Sequence, residues 1–195
     1  MLAAWSLPSA RRLFPKSSAS PLRIVLVDAG PLIALGKLNR LPLLAELYGA
    51  LHVPRAVYQE AVIAGSVRDA PDSANIRLFL EHHKFPILDI SDPLLQSYDS
   101  APILGLGERH VLALAQSFTG AEILVLLDDE MARAEARRIG LQVKGTLGVL
   151  VEAFRAGLLS FDETELLLLE IAARPDIWIS EKLCHQIIEQ LKQGR

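Results

Sequence analysis

Four places in this sequence set a carboxylate where it could do chemistry. Asp28 ends the apolar run Ile24 to Val27. Glu60 lies near the apolar edge of a helical stretch. Glu108 falls just after two glycines, in the first turn of a helix. The pair Asp128-Asp129 ends the apolar run Ile123 to Leu127. An acid at the carboxyl end of a buried strand lies on the sheet edge where open α/β folds bind ligands. A helix start next to it favours a negative charge. Taken singly, each acid also fits a plainer role, as a helix cap or a solvated surface charge.

Taken together, the four positions suggest one chemistry. Carboxylates that converge repel one another and raise each other's pKa unless a cation neutralises them. Oxygen-only ligands suit a hard ion, Mg²⁺ or Mn²⁺, which keeps several waters. Such an ion activates water and stabilises the charge developing on a phosphate, so metal-dependent phosphodiester hydrolysis is the natural reaction. Structural caps and surface acids can produce the same pattern.

The elements that must position these acids can be read in order. Ile24 to Val27 and Ile123 to Leu127 are continuous aliphatic runs, as expected of strands buried on both faces. After Asp28, Ala29-Gly30 turns the chain, and Pro31 suits the first position of a helix running to Leu35. A second helix is expected from about Leu41 to Tyr48, then a short strand at His52-Val53 stopped by Pro54. Pro54 to Ala64 reads as an amphipathic helix with Val53, Val57 and Val62 facing the core and Gly65 as its stop. A helix at about 73–83, a strand at Ile87 to Ile90 and a helical turn and loop over Asp92 to Ile103 follow. Leu104 to Ser117 contains a helix, and Met131 to Ile139 another that ends at Gly140. Leu141 to Lys144 is a short strand. Gly145-Thr146 leads into a helix to about Ala156, and helices at about 162–172 and 180–192, capped by Asp162 and Ser180, close the chain. Strands alternate with helices throughout. The expected fold is a three-layer α/β/α sandwich with a largely parallel central sheet.

Composition bounds the reading. The 195 residues fit one domain, and at 51% hydrophobic and 22% charged the chain can build a sizeable core. No apolar run reaches the roughly 18 residues of a membrane span. Net charge is −3. The first twenty residues hold Arg11, Arg12 and Lys16 and no acid, so the rest is more acidic still. That argues against gripping nucleic acid by bulk charge, though not against a few local cations on phosphates. The single Cys184 gives no internal disulfide, fits a reducing compartment, and reads as a small buried hydrophobe. Residues 1–21 are expected to be a disordered extension or the product of a start assigned too early, although their Ser, Ala and Arg content also resembles an organelle transit peptide. Residues 22–195 are expected to form the folded α/β domain that carries the acids.

Five ordered motifs carry a resemblance. They are Asp28-Ala29-Gly30-Pro31-Leu32-Ile33; Pro54 with Val57 and Glu60, in the pattern P-x-x-V-x-x-E; Gly105-Leu106-Gly107-Glu108; Asp128-Asp129-Glu130-Met131-Ala132-Arg133; and Gly145-Thr146-Leu147-Gly148-Val149-Leu150. From about Arg23 to Lys192 the chain resembles PIN-domain proteins, close to the VapC toxins and nearer to a VapC-like branch of PIN nucleases. Two departures stand out. Gly30 occupies a place where that branch usually has Ser, and G-L-G-E is one residue tighter than G-L-x-x-G-E. Neither removes a carboxylate.

The resemblance implies a Mg²⁺- or Mn²⁺-dependent endoribonuclease, the cytoplasmic toxin of a toxin–antitoxin pair, with a small antitoxin and a second copy of the chain as partners. It implies Asp28, Glu60, Glu108 and Asp129 as the catalytic acids. Asp28, Glu108 and Asp129 would hold metal, with Asp128 close behind Asp129 for the last position. Arg133 is a candidate contact to substrate phosphate, against a salt bridge to Asp129 or Glu130. Thr146 is a candidate partner of the acid site, against a plain N-cap. Trp178 reads as a core or interface anchor rather than a base-stacking platform, and Leu166 to Leu169 as core packing. The alternative function is a PIN module without turnover that binds RNA or protein as a regulator. A phosphatase of the haloacid-dehalogenase type needs a second Asp two residues after the first, and that position is Gly30.

Overall fold

The computed structural model describes residues 23–97 and 104–194. The expectations for residues 1–21 and for the end of the 92–103 loop lie outside the described residues. The element order is β1 (Arg23–Val27), α1 (Ala29–Lys37), α2 (Pro42–Tyr48), β2 (Val53–Pro54), α3 (Arg55–Tyr58), a π-helical turn (Gln59–Ala64), α4 (Gly65–Val67) and α5 (Pro71–His83). Then come β3 (Ile87–Leu88), α6 (Asp92–Ser97), α7 (Leu106–Ser117), β4 (Glu122–Leu126), α8 (Glu130–Arg138), β5 (Gln142–Lys144), α9 (Thr146–Arg155), α10 (Phe161–Ala173) and α11 (Glu181–Gln193).

Every strand pairing is parallel. β4 lies between β1 and β5, with Val27 opposite Leu126 and Leu126 opposite Lys144. β2 pairs with β3. A bridge between Leu26 and His52 sets that pair beside β1. Across the sheet the order is therefore β3-β2-β1-β4-β5. Parallel strands need crossovers, and right-handed crossovers that run outward from β1 and then return must cover opposite faces. Accordingly α7 contacts β1, β2 and β4, while α9 contacts α1 and α2 in the other helical layer. Both central strands are covered on both sides, which explains their unbroken aliphatic sequence. Val25, Leu26, Val27, Leu124, Val125 and Leu126 are all buried.

The register puts Asp28 and Asp128 one residue beyond β1 and two beyond β4, on the same sheet edge. Asp28 N–H still donates to Leu126 O at 3.0 Å, extending the ladder to the acid itself. The core takes Val53, Val57, Val62 and Cys184 as expected. No helix among the described residues is long and apolar enough to cross a membrane.

Several local expectations give way. Pro31 is the third residue of α1 rather than the first, because Ala29 and Gly30 are already helical. Gly65 does not stop its helix. It continues it, and an added Cβ there would stand 2.8 Å from Ser73 Cβ, so it is a close-packing residue between α4 and α5. Ser160, not Asp162, caps α10, and its hydroxyl and the Glu163 carboxylate complete a capping box. Of the late leucines, Leu167 and Leu168 are buried, but Leu166 and Leu169 face outward. Trp178 is 94% exposed, so it is no core anchor.

Candidate active site

The site grows from the end of β1. Asp28 sits at the N-cap position of α1 but makes no side-chain cap bond. It is buried, and its Oδ1 has no hydrogen-bond partner. A polar atom left in that state costs free energy, and a charged one costs more. Burial pushes the Asp28 carboxyl up from the ordinary 3.8 to about 7, and the nearby charges of Glu108 and Glu60 push the same way. The nearby backbone N–H groups of Ala29 and Gly30 pull the other way and offset this only in part.

Two helices deliver the neighbouring acids. α7 starts at Leu106 behind Gly105, whose N–H donates to Glu108 Oε2 at 2.6 Å. That bond holds Glu108 over its own helix start. Burial raises its pKa, and Asp129 and Glu60 add to the rise. Glu60 comes from the π-helical turn after α3. Such turns widen a helix by one residue and recur at functional sites. Gly107 is the floor that Asp28 and Glu60 share. A Cβ added there would lie 3.0 Å from Asp28 Oδ1 and 3.3 Å from Glu60 Oε2. In the sequence Gly107 stands within the G-L-G-E motif. A glycine inside the first helical turn, where almost any residue is a better helix former, was the signal of a close approach.

The adjacent aspartates divide. Asp129 caps α8, its Oδ1 accepting Ala132 N–H at 2.8 Å, while its charge reaches Glu108. Asp128 is held by Thr146, whose N–H and hydroxyl both reach it at 2.6 Å, to Oδ1 and Oδ2 respectively. Burial raises the Asp128 pKa against the effect of these bonds and of the Arg133 charge. Gly145 is the N-cap of α9, and Thr146 is the first helical residue, serving Asp128 through both its groups. Gly145 leaves room for this joint, since a Cβ there would stand 2.7 Å from Asp128 Oδ1 and 3.2 Å from Arg133 Nη1. Arg133 thus lies against Asp128. Among the described residues it makes no ion pair with Asp129 or Glu130, and its Nε is buried without a partner.

Thr146→Val removes one donor from a buried carboxylate while keeping shape. It is expected to destabilise the fold by about 1–3 kcal/mol in chemical denaturation, with Thr146→Ser close to wild type.

Asp28, Glu60, Glu108 and Asp129 therefore lie within one another's electrostatic reach, Asp28 feeling Glu108 and Glu60, and Glu108 feeling Asp129 and Glu60, while Thr146 at the start of α9 holds Asp128 beside them. Among the described residues, no group of three or more His, Cys, Asp or Glu side chains stands close enough together to hold a metal ion as placed. The donor set nonetheless fits a hard divalent cation. It is all carboxylate oxygen, it is crowded with like charge, and Asp28 Oδ1 is a buried acceptor with nothing to accept from. His110 is two residues from Glu108 and takes no part in the cluster, and burial lowers its pKa.

A protein-family model described as a PIN domain (DUF3368) matches residues 24–193. A search of curated proteins finds no match. The matched span runs from the first strand to the last helix and includes every acid of the site. The chain belongs to the PIN-domain family, a nuclease fold.

Proposed function

We propose that this protein is a Mg²⁺- or Mn²⁺-dependent endoribonuclease of the VapC-like type, acting through Asp28, Glu60, Glu108 and Asp129. The observation that carries the reading is Asp28. It is a buried carboxylate with an orphaned oxygen and a strongly raised pKa, at a strand end, under the fields of two further acids. Strongly perturbed acids that act on one another cluster at functional sites. When bound, the divalent ion would lower the pKa of a water and offset charge developing on the phosphate.

The chain's own residues have separable roles on this reading. Asp28, Glu108 and Asp129 would hold the ion, and Asp28 would have to be deprotonated to serve as a ligand. Glu60, exposed on the π-helical turn, faces the substrate side and acts directly or through a water. Thr146 fixes Asp128, which steadies the β4–α8 turn that presents Asp129. Arg133 is the contact for a substrate phosphate. The family resemblance further supports a cytoplasmic toxin with a small antitoxin and a second copy of the chain as partners.

The test uses wild-type protein purified free of any partner. Single-stranded RNA is expected to be cut internally with Mg²⁺ or Mn²⁺ and to stay whole with EDTA. RNA left intact under every divalent ion would overturn the proposal and favour a PIN module that only binds.

A further inference from the structure

A groove of about 470 Å³ borders the acid cluster and takes Glu60 and Asp128 from it. Gly30, Lys37, Arg68 and Trp178 also line it. The Trp178 indole is 94% exposed, yet its backbone is tied down on both sides. Ile177 beside it is buried, and Ile179 N–H donates to Ile177 O at 2.9 Å. Arg174 grips Asp176 through Nε at 3.0 Å and Nη2 at 2.9 Å. Lys37 Nζ reaches Asp176 Oδ2 at 3.2 Å and its main-chain oxygen at 2.6 Å. Arg174 Nη1 donates to Lys37 O at 3.1 Å, so the segment is knotted to the end of α1.

An indole held out from a pinned backbone presents an open flat face at the groove, which is what base stacking uses. Arg68 adds a guanidinium on the same groove that makes no ion pair among the described residues, which suits a phosphate. A ring for a base, a cation for a phosphate and two of the clustered acids, Glu60 and Asp128, lining one groove are the parts a single-stranded nucleic acid would engage. Resting on the ribonuclease reading for the identity of that strand, we propose that Trp178 stacks on a base of the single-stranded RNA substrate close to the phosphate that is cut, with Arg68 meeting a neighbouring phosphate.

The test is binding without cleavage. A labelled single-stranded RNA of roughly ten nucleotides is titrated in EDTA with full-length wild type, Trp178→Ala, Trp178→Phe and Arg68→Gln, and anisotropy is read. Trp178→Ala is expected to weaken binding about tenfold to a hundredfold, the range that loss of one stacked base gives, while Trp178→Phe stays within a few fold of wild type. Arg68→Gln is expected to weaken binding and flatten its salt dependence. Thermal melts should coincide, because the indole buries nothing. Trp178→Ala binding within about twofold of wild type overturns the inference and leaves the rim to a protein partner. So does a wild type that binds no RNA. The two readings fail separately. Cleavage with Mn²⁺ beside an indifferent Trp178→Ala sinks only the stacking platform, whereas Trp178-dependent binding without cleavage under any divalent ion sinks only the ribonuclease.

Discussion

Asp28→Asn is expected to lose cleavage by roughly a thousandfold or more while making the metal-free protein more stable at pH 8. The first effect follows from removing the carboxylate nearest the centre of the acid group, since a metal ion supplies several kcal/mol of transition-state stabilisation. The second follows from burial. Asp28 titrates near 7 in the folded protein, against 3.8 for an ordinary aspartate. Between those values the folded state holds a proton that the unfolded state has released. Stability therefore falls as pH rises through that window, and the loss is complete above pH 7. The full penalty is up to about 4 kcal/mol. Asparagine carries no charge and escapes it. Urea melts in EDTA should show wild type weakening from pH 4 to pH 8 and the variant weakening less, since Glu108 and Asp128, also raised, remain in it. Adding Mn²⁺ should restore the wild type and leave the variant unmoved. An Asn variant that is less stable than wild type at pH 8 would mean that Asp28 is an ordinary structural acid.

Gly107→Ala is expected to lower kcat/KM about tenfold to a hundredfold with the fold intact. The new methyl would stand 3.0 Å from Asp28 Oδ1, 3.3 Å from Glu60 Oε2 and 3.4 Å from Val57 Cγ2. Both carboxylates must then give way, while the Val57 contact is an ordinary one. Misplacement of a reacting group by about 1 Å can cost a hundredfold in rate. The same change favours the helix, because Ala exceeds Gly by up to about 1 kcal/mol in a helix interior. Melting temperature should stay level or rise while activity falls. Unchanged kcat/KM would remove Gly107 from the site's floor.

The legibility of this chain divides along the range of the interactions involved. The strands ending in Asp28 and Asp128 could be read directly, because burial on both faces of a parallel sheet leaves an aliphatic run that polar residues interrupt only at the ends. Glu108 was readable from its glycines and its helix start. The division of labour between Asp128 and Asp129 was not. It is set by Thr146, eighteen residues further on, whose two donors claim Asp128. The π-helical turn that carries Glu60 looks in sequence like an ordinary amphipathic helix. Gly65 reads as a stop by local rule, yet it is required by Ser73 across a helix contact. Trp178 is exposed because Lys37, distant in sequence, and Arg174 fix the segment through Asp176, and no periodicity announces such a knot. Local signals placed the acids, and long-range contacts decided what each acid can do.

The most direct measurement is calorimetric titration of Mn²⁺ into metal-free wild type at pH 7, beside Asp28→Asn and Glu108→Gln. A carboxylate metal centre requires saturable binding by the wild type, release of protons as Asp28 ionises, and loss of both in the variants. Absence of binding by the wild type, or equal binding by all three proteins, would contradict a divalent-ion site at this cluster.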